Sequence, residues 1–368
     1  MVSKTRHKRH QPRKGGSHTR KSSVSRLSPD SASKEVADVE KKGKEVAVKA
    51  DAAAKLAERE AVFARRAALK ARDIAQALDA ADDNSSDSDG EEHGDESRQR
   101  QRQERKLTRV LEFRHGTYKG GVRSRFGTTR HGYGEYATDT ETYQGEWKDD
   151  KEHGFGVYVL KTTRQYNGYT YEGEWKDGQM TGYGICTFSG GGDTYKGHNL
   201  NGEFDGYGVY LHTSTTGGVS KCEYVQGVKH GFGTYDSADL SHSGLYSKDR
   251  FILGRGRVRL AAGVYTGDFK GERGSTAALR HGNGKQVYTN GDVYEGQFKN
   301  NKPYGKGTLT KPDGTVEEGV WSGTRLTGKI TYPPASGLQP VVGKFDTGAP
   351  LAPLQEAVIS GDDTDPDE

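Results

Sequence analysis

Glu146 and Glu174 hold the same place in two copies of one short pattern, and His131, His153, His230 and His281 each stand immediately before a glycine pair. Paired carboxylates suit glycoside hydrolysis, which needs a desolvated cleft that separates an acid from a base. Repeated imidazoles suit zinc, which needs nitrogen at about 2.0–2.1 Å. Glycine pairs suit a phosphate cradle, which needs a strand, a glycine loop and a helix N-terminus. The surrounding sequence fits none of these. Alternating, strand-like residues follow the glycines, and equivalent residues of successive hairpins lie roughly 9–10 Å apart, too far to share one ion. Carboxylates facing outward on an open sheet stay solvated. The sequence therefore predicts no catalytic residue, no metal ligand and no cofactor.

The pattern that carries these residues recurs every 22 to 29 residues from Tyr118 onward, a period that marks a repeat architecture. Its clearest copies are YQGEWKDDKEHGFGVYVL from Tyr143, YEGEWKDGQMTGYGICTF from Tyr171, YKGHNLNGEFDGYGVYLH from Tyr195 and YEGQFKNNKPYGKGTLT from Tyr294. Degenerate copies begin at Tyr118, Ser220, His242, Tyr265 and Glu317, and Val341 to Phe345 reads as a closing half unit. Each copy reads as a β-hairpin. Period two places Tyr143, Gly145 and Trp147 on one face and Gln144, Glu146 and Lys148 on the other, with turn residues at Asp149-Asp150. The return strand carries Gly154 and Gly156, expected to leave room for rings. Tyr171, Gly173, Trp175, Gly182 and Gly184 repeat that set, as do Tyr294, Gly296, Phe298, Gly305 and Gly307. A lone hairpin is marginal in water, so the nine units must stack edge to edge into an elongated single-sheet solenoid.

Composition agrees with that plan. Only 31% of the 368 residues are hydrophobic while 52 are glycine, so the core must be rings and backbone. Two cysteines, Cys186 and Cys222, are too few for a disulfide framework and read as reduced thiols. No window is apolar enough to span a membrane, and the N-terminus lacks a secretory core, so a cytoplasmic chain is expected.

Ahead of the repeats lie four segments. Residues 1–32 form a basic arm, with nine Lys or Arg and no acid from Met1 to Pro29, expected to be disordered. Residues 33–81 are rich in Ala, Lys and Glu, with no proline and one glycine, Gly43, and read as a weakly amphipathic helix; its stripe of Leu56, Phe63, Ala67, Ile74 and Leu78 suits either a solvated helix or a coiled-coil partner. Residues 82–97 are an acidic linker, 98–113 a short basic helix, and 349–368, after the repeats at 114–348, an acidic tail.

The units resemble the MORN repeat (membrane occupation and recognition nexus), which runs Tyr-x-Gly-x-Trp/Phe, a polar turn, then Gly-x-Gly. The resemblance covers Tyr118 to Phe345. It implies a stack of hairpins forming a long grooved sheet, and a role in binding or scaffolding; members include radial-spoke-head proteins and cytoskeletal scaffolds, with any enzyme activity in another domain. A non-enzymatic scaffold in a cytoskeletal, ciliary or flagellar assembly is therefore expected, with cytoskeletal or axonemal protein partners. A peripheral module for anionic phospholipid is the alternative; nucleic acid is disfavoured and a homodimer stays open.

The residue between the paired glycines should face away from the tyrosine side. It is Tyr133, Phe155, Tyr183, Tyr207 and Phe232 in the first five units, then Arg255, Asn283, Lys306 and Lys329. The aromatic ladder either packs between neighbouring hairpins or receives a partner helix or strand. The basic residues Arg255, Lys306 and Lys329 are the candidate contacts for anionic lipid or an acidic partner.

Overall fold

The computed structural model describes residues 29–82, 107–124, 126–163, 167–213, 217–271 and 278–347. The basic arm up to residue 28, most of the acidic linker and the acidic tail lie outside them. Among the described residues one helix, α1 (Pro29–Asp82), precedes twenty strands. The strands run β1 (Thr108–Phe113), β2 (Gly116–Val122), β3 (Arg130–Ala137), β4 (Glu141–Lys148), β5 (Lys151–Leu160), β6 (Tyr169–Lys176) and β7 (Gln179–Phe188). They continue as β8 (Thr194–Leu200), β9 (Glu203–His212), β10 (Gly218–Val225), β11 (Val228–Asp236), β12 (Leu240–Ser247), β13 (Arg250–Leu260) and β14 (Gly263–Gly271). The last six are β15 (Ala278–Tyr288), β16 (Val293–Lys299), β17 (Lys302–Thr310), β18 (Val316–Ser322), β19 (Arg325–Thr331) and β20 (Val341–Asp346).

Every strand pairs antiparallel with the next, so the chain is one open sheet of consecutive hairpins. The nine units are the hairpins from β2–β3 to β18–β19. β20 is the closing half unit foreseen at Val341. Its counterpart, β1, was not foreseen: where a short basic helix was expected over 98–113, Thr108–Phe113 is a strand paired with β2. Alternate residues of β2 are buried, and a lone edge needs a neighbour to complete its hydrogen bonds, which outweighs local charge.

The two-residue turns have positive φ at both positions, as in Asp149 (50°) with Asp150 (69°) and Asn300 (48°) with Asn301 (68°). That geometry matches strand twist and favours Asn, Asp and Gly. The turn acid or amide also reaches back one hairpin: Asp150 accepts from the Arg130 amide at 2.8 Å, Asp249 from Lys229 at 2.7 Å and Asn301 from Arg280 at 2.8 Å.

The core is a zigzag of rings along one face. Tyr118, Trp147, Tyr143, Trp175 and Tyr171 meet edge to face at centroid spacings of 5.1 to 5.4 Å. Each leading tyrosine folds back over the glycines, and its hydroxyl donates to the carbonyl three residues on, as Tyr143 to Glu146 at 2.9 Å and Tyr294 to Gln297 at 3.1 Å. A β-carbon added at Gly156 would lie 2.4 Å from the Tyr143 hydroxyl, so this glycine is required by the ring. The indole of Trp147 donates to the Gly134 carbonyl at 3.1 Å and that of Trp321 to Gly307 at 2.9 Å, tying each hairpin to the one before.

Candidate functional site

The other face of the sheet carries α1. The helix packs across β1 to β13 and reaches β15, running from Pro29 over the middle of the sheet back to its first hairpins. Rather than being solvated all round, it lies with one face on the aromatic ladder. Lys42 sits over the Phe232 ring at 5.1 Å and Lys49 over Tyr207 at 5.0 Å. Phe63 meets Phe155 at 5.5 Å and Lys70 lies over Tyr133 at 4.8 Å. Tyr183 packs with Ile185 against Ala57 and Ala61, and its ring also meets His198 of the next hairpin at 5.2 Å. All five rings are half-buried. Thus the ring of Tyr183 touches a neighbouring hairpin, and the ladder as a whole is covered by a helix of the chain itself.

Lys42, Lys49, Leu56, Phe63 and Lys70 are spaced by seven. So are Gly43, Ala50, Ala57, Ala64 and Ala71, all buried against the sheet. Seven helical residues rise about 10.5 Å, and two strands span about 9.6 Å, so one heptad meets one hairpin. Small residues let the helix axis come close. A β-carbon at Gly43 would stand 2.1 Å from Ser243 Oγ and 2.8 Å from the Gly233 carbonyl, and Ser243 Oγ donates to the Glu40 carbonyl at 2.8 Å.

A second heptad row carries charge: Asp51, Glu58, Arg65, Arg72 and Asp79. On the sheet, the residue after each leading position is Lys221, Lys196, Glu172, Gln144 and Lys119 in the matching order. Asp51 pairs with Lys221 at 2.9 Å, Glu58 with Lys196 at 2.7 Å, Arg65 with Glu172, and Asp79 with Lys119 at 2.6 Å. Where the helix changes sign, the sheet changes sign with it.

The candidate basic residues divide. Arg255 pairs with Asp268 at 2.7 Å and with Glu40 of α1 at 3.6 Å, so it belongs to the helix interface. Lys306 and Lys329, on β17 and β19, are exposed and make no ion pair among the described residues.

The repeated glutamates hold backbone. Glu146 accepts the Phe155 amide at 3.1 Å, Glu174 that of Tyr183 at 3.0 Å and Glu223 that of Phe232 at 3.0 Å. Asp268 and Gln297 do the same for Asn283 and Lys306. Each amide follows a glycine of positive φ, such as Gly154 (65°) or Gly182 (58°), where the ladder register shifts. The two glycines of a pair therefore have different tasks: Gly154 makes the bulge and faces Glu146, while only Gly156 makes room for the ring. Spacing alone assigns the second task to both, because it does not distinguish a glycine of positive φ from one of close approach.

His131 and His153 lie near turn aspartates at 3.5 and 3.9 Å. Among the described residues no group of three or more His, Cys, Asp or Glu could hold a metal. A hollow of about 960 Å³ opens beside β1 to β4, where Glu112, Glu135 and Glu141 accept from Thr117, Gln144 and Tyr158. Burial pushes the Cys186 and Cys222 thiols up to about 12, which makes them poor nucleophiles. Among the described residues no helix is long and apolar enough to cross a membrane.

The family model for the MORN repeat matches residues 143–162, 171–193, 195–214, 223–241, 278–293 and 294–316. It leaves out the hairpins β2–β3, β12–β13 and β18–β19, which begin at Tyr118, His242 and Glu317, and it matches only the return strand, β15, of the hairpin that begins at Tyr265. No curated protein matches the chain.

Proposed function

The chain is a MORN-repeat protein, and from that premise we propose a non-enzymatic scaffold or adaptor that docks protein partners through the sheet, within a cytoskeletal, ciliary or flagellar assembly of the cytoplasm. The observation that supports this most is the helix-bearing face: five hairpins present rings, and four of them charges of both signs, to one long helix, a surface suited to recognising helical segments. Fusing a proximity-labelling enzyme to the full chain in its own cell tests it. Enrichment of cytoskeletal or axonemal proteins is expected; labelling that matches a freely diffusing control would overturn it.

A second reading rests on Lys306 and Lys329, exposed on the part of that face beyond α1, together with the basic arm of residues 1–28. These favour anionic phospholipid. Salt-sensitive sedimentation with phosphatidylserine vesicles, abolished by deleting residues 1–28, is the expected outcome; no sedimentation at low salt excludes it.

A further inference from the structure

The match between α1 and the sheet is one of register as well as of composition. Sliding the helix by one heptad in one direction sets Glu58 against Glu172 and Arg72 against Lys119. Sliding it the other way sets Arg65 against Lys196, and although it also sets Glu58 against Lys221 and Arg72 against Glu172, it keeps two opposite pairs where the observed register has four. Away from Gly43 apolar contact alone would not forbid either slip, because alanine recurs at each heptad from Ala50 to Ala71; at Gly43 the incoming Val36 or Ala50 would press its β-carbon on Ser243 and the Gly233 carbonyl. Charge disfavours both slips, since the observed register has the most opposite pairs and no like ones.

We propose that this face is a register-coded receptor for one kind of helix, with Gly or Ala every seventh residue and an adjoining row ordered acidic, acidic, basic, basic, acidic, and that α1 is its tethered, exchangeable occupant. A partner helix of the same pattern competes with α1 for the five hairpins. The proposal deepens the scaffold reading, on which it rests for the existence of such a partner. The four ion pairs are partly exposed, with one or both side chains open to water in each, so they select more than they bind. Because α1 belongs to the same chain, it acts at an effective concentration of about millimolar, so a free helix meets a face that is mostly closed.

The probe is a labelled synthetic peptide of residues 36–82, titrated into the full chain and followed by fluorescence anisotropy. In the chain carrying D51K and E58K, the tethered helix meets Lys221 and Lys196 with like charge. The wild-type peptide is expected to bind this chain at least tenfold more tightly than the wild-type chain. Adding K196E and K221E to the same chain restores opposite charges in cis and repels the peptide, so binding should return to the wild-type level or below. Equal affinity for the wild-type and D51K/E58K chains would overturn the proposal, as would failure of K196E/K221E to reverse the gain. The independent pair R65E, rescued by E172R, repeats the test with inverted sign if the first variant loses the strand signal in circular dichroism. Failure of exchange would leave the scaffold reading intact, because partners could dock elsewhere; failure of proximity labelling would leave the exchange measurable.

Discussion

The carboxylate of Glu174 shows how a residue of catalytic type is absorbed by structure. It accepts the Tyr183 amide beside a bulge at Gly182, and Gln297 does the same for Lys306 in a later hairpin. Charge is therefore dispensable at this position while an acceptor is not. Glu174→Gln should change stability by less than about 0.5 kcal/mol and Glu174→Ala should cost about 1–2 kcal/mol in urea unfolding, the range for an orphaned part-buried amide. Equal losses would mean that the clamp does not hold the bulge. His242 stands where other hairpins place a tyrosine, bonded to the Tyr246 hydroxyl and packed on Phe251 at 4.9 Å. Burial, and secondarily the charge of Lys229, lowers it from the usual imidazole range to about 3. The unfolded chain takes up its proton near pH 6.5 while the folded chain stays neutral, so stability is lost as pH falls through that window, by up to about 1.4 kcal/mol per pH unit. His242→Gln should lose less between pH 7 and pH 5 than the wild type; parallel losses would show that the imidazole is not the group responsible. The roles of the tyrosine, the tryptophan and the close-approach glycine were legible from spacing. The bulge was not, because a left-handed glycine and a close-approach glycine are the same letter.

At the scale of the element, the helix itself was legible from composition and its destination was not. The stripe read from the sequence, Leu56, Phe63, Ala67, Ile74 and Leu78, is weak because most of the docked face is alanine. A sheet roughened by rings accepts a smooth helix, so strong amphipathicity is not what docking required. The signal that could have found the interface was the seven-residue recurrence of Gly43, Ala50, Ala57, Ala64 and Ala71 beside the charge row. Gly43 separates helix propensity from docking. Alanine there favours the isolated helix by about 1 kcal/mol, yet its β-carbon would press on the Gly233 carbonyl. Gly43→Ala should raise the helicity of a peptide of residues 36–82 and, in the full chain, speed hydrogen exchange in α1 about tenfold. Slower exchange in the full chain would remove close approach as the reason for glycine. The strand β1 escaped detection for a related reason: the basic composition of residues 98–113 argued for a helix, while the exposed edge of β2 decided otherwise.

Across the whole molecule, two repeats of different period run side by side, hairpins of 22 to 29 residues and helical heptads, and they agree because both advance about 10 Å. Hairpin contacts are with nearest neighbours, so the sheet alone should tolerate loss of one rung at the cost of one interface. The helix should not, since it crosses every rung from β2 to β13. Deleting residues 171–194 removes one hairpin period together with Glu172. The charge row then runs out of step: Arg65 meets Gln144, Arg72 meets Lys119, and Asp79 passes beyond the last matching position. Deleting residues 59–65 as well removes one heptad with Arg65, and the remaining pairs Asp51 with Lys221, Glu58 with Lys196 and Asp79 with Lys119 come back into order. The hairpin deletion alone should therefore expose the C-terminal half of α1 to rapid hydrogen exchange, and the heptad deletion alone should do likewise. The double deletion should recover protection to within a few fold of the intact chain, a gain that neither shortening predicts by itself. If the double deletion exchanges as fast as the single ones, the agreement of the two periods does not hold the helix in place, and the apolar contacts of the ladder would have to do so without a fixed register.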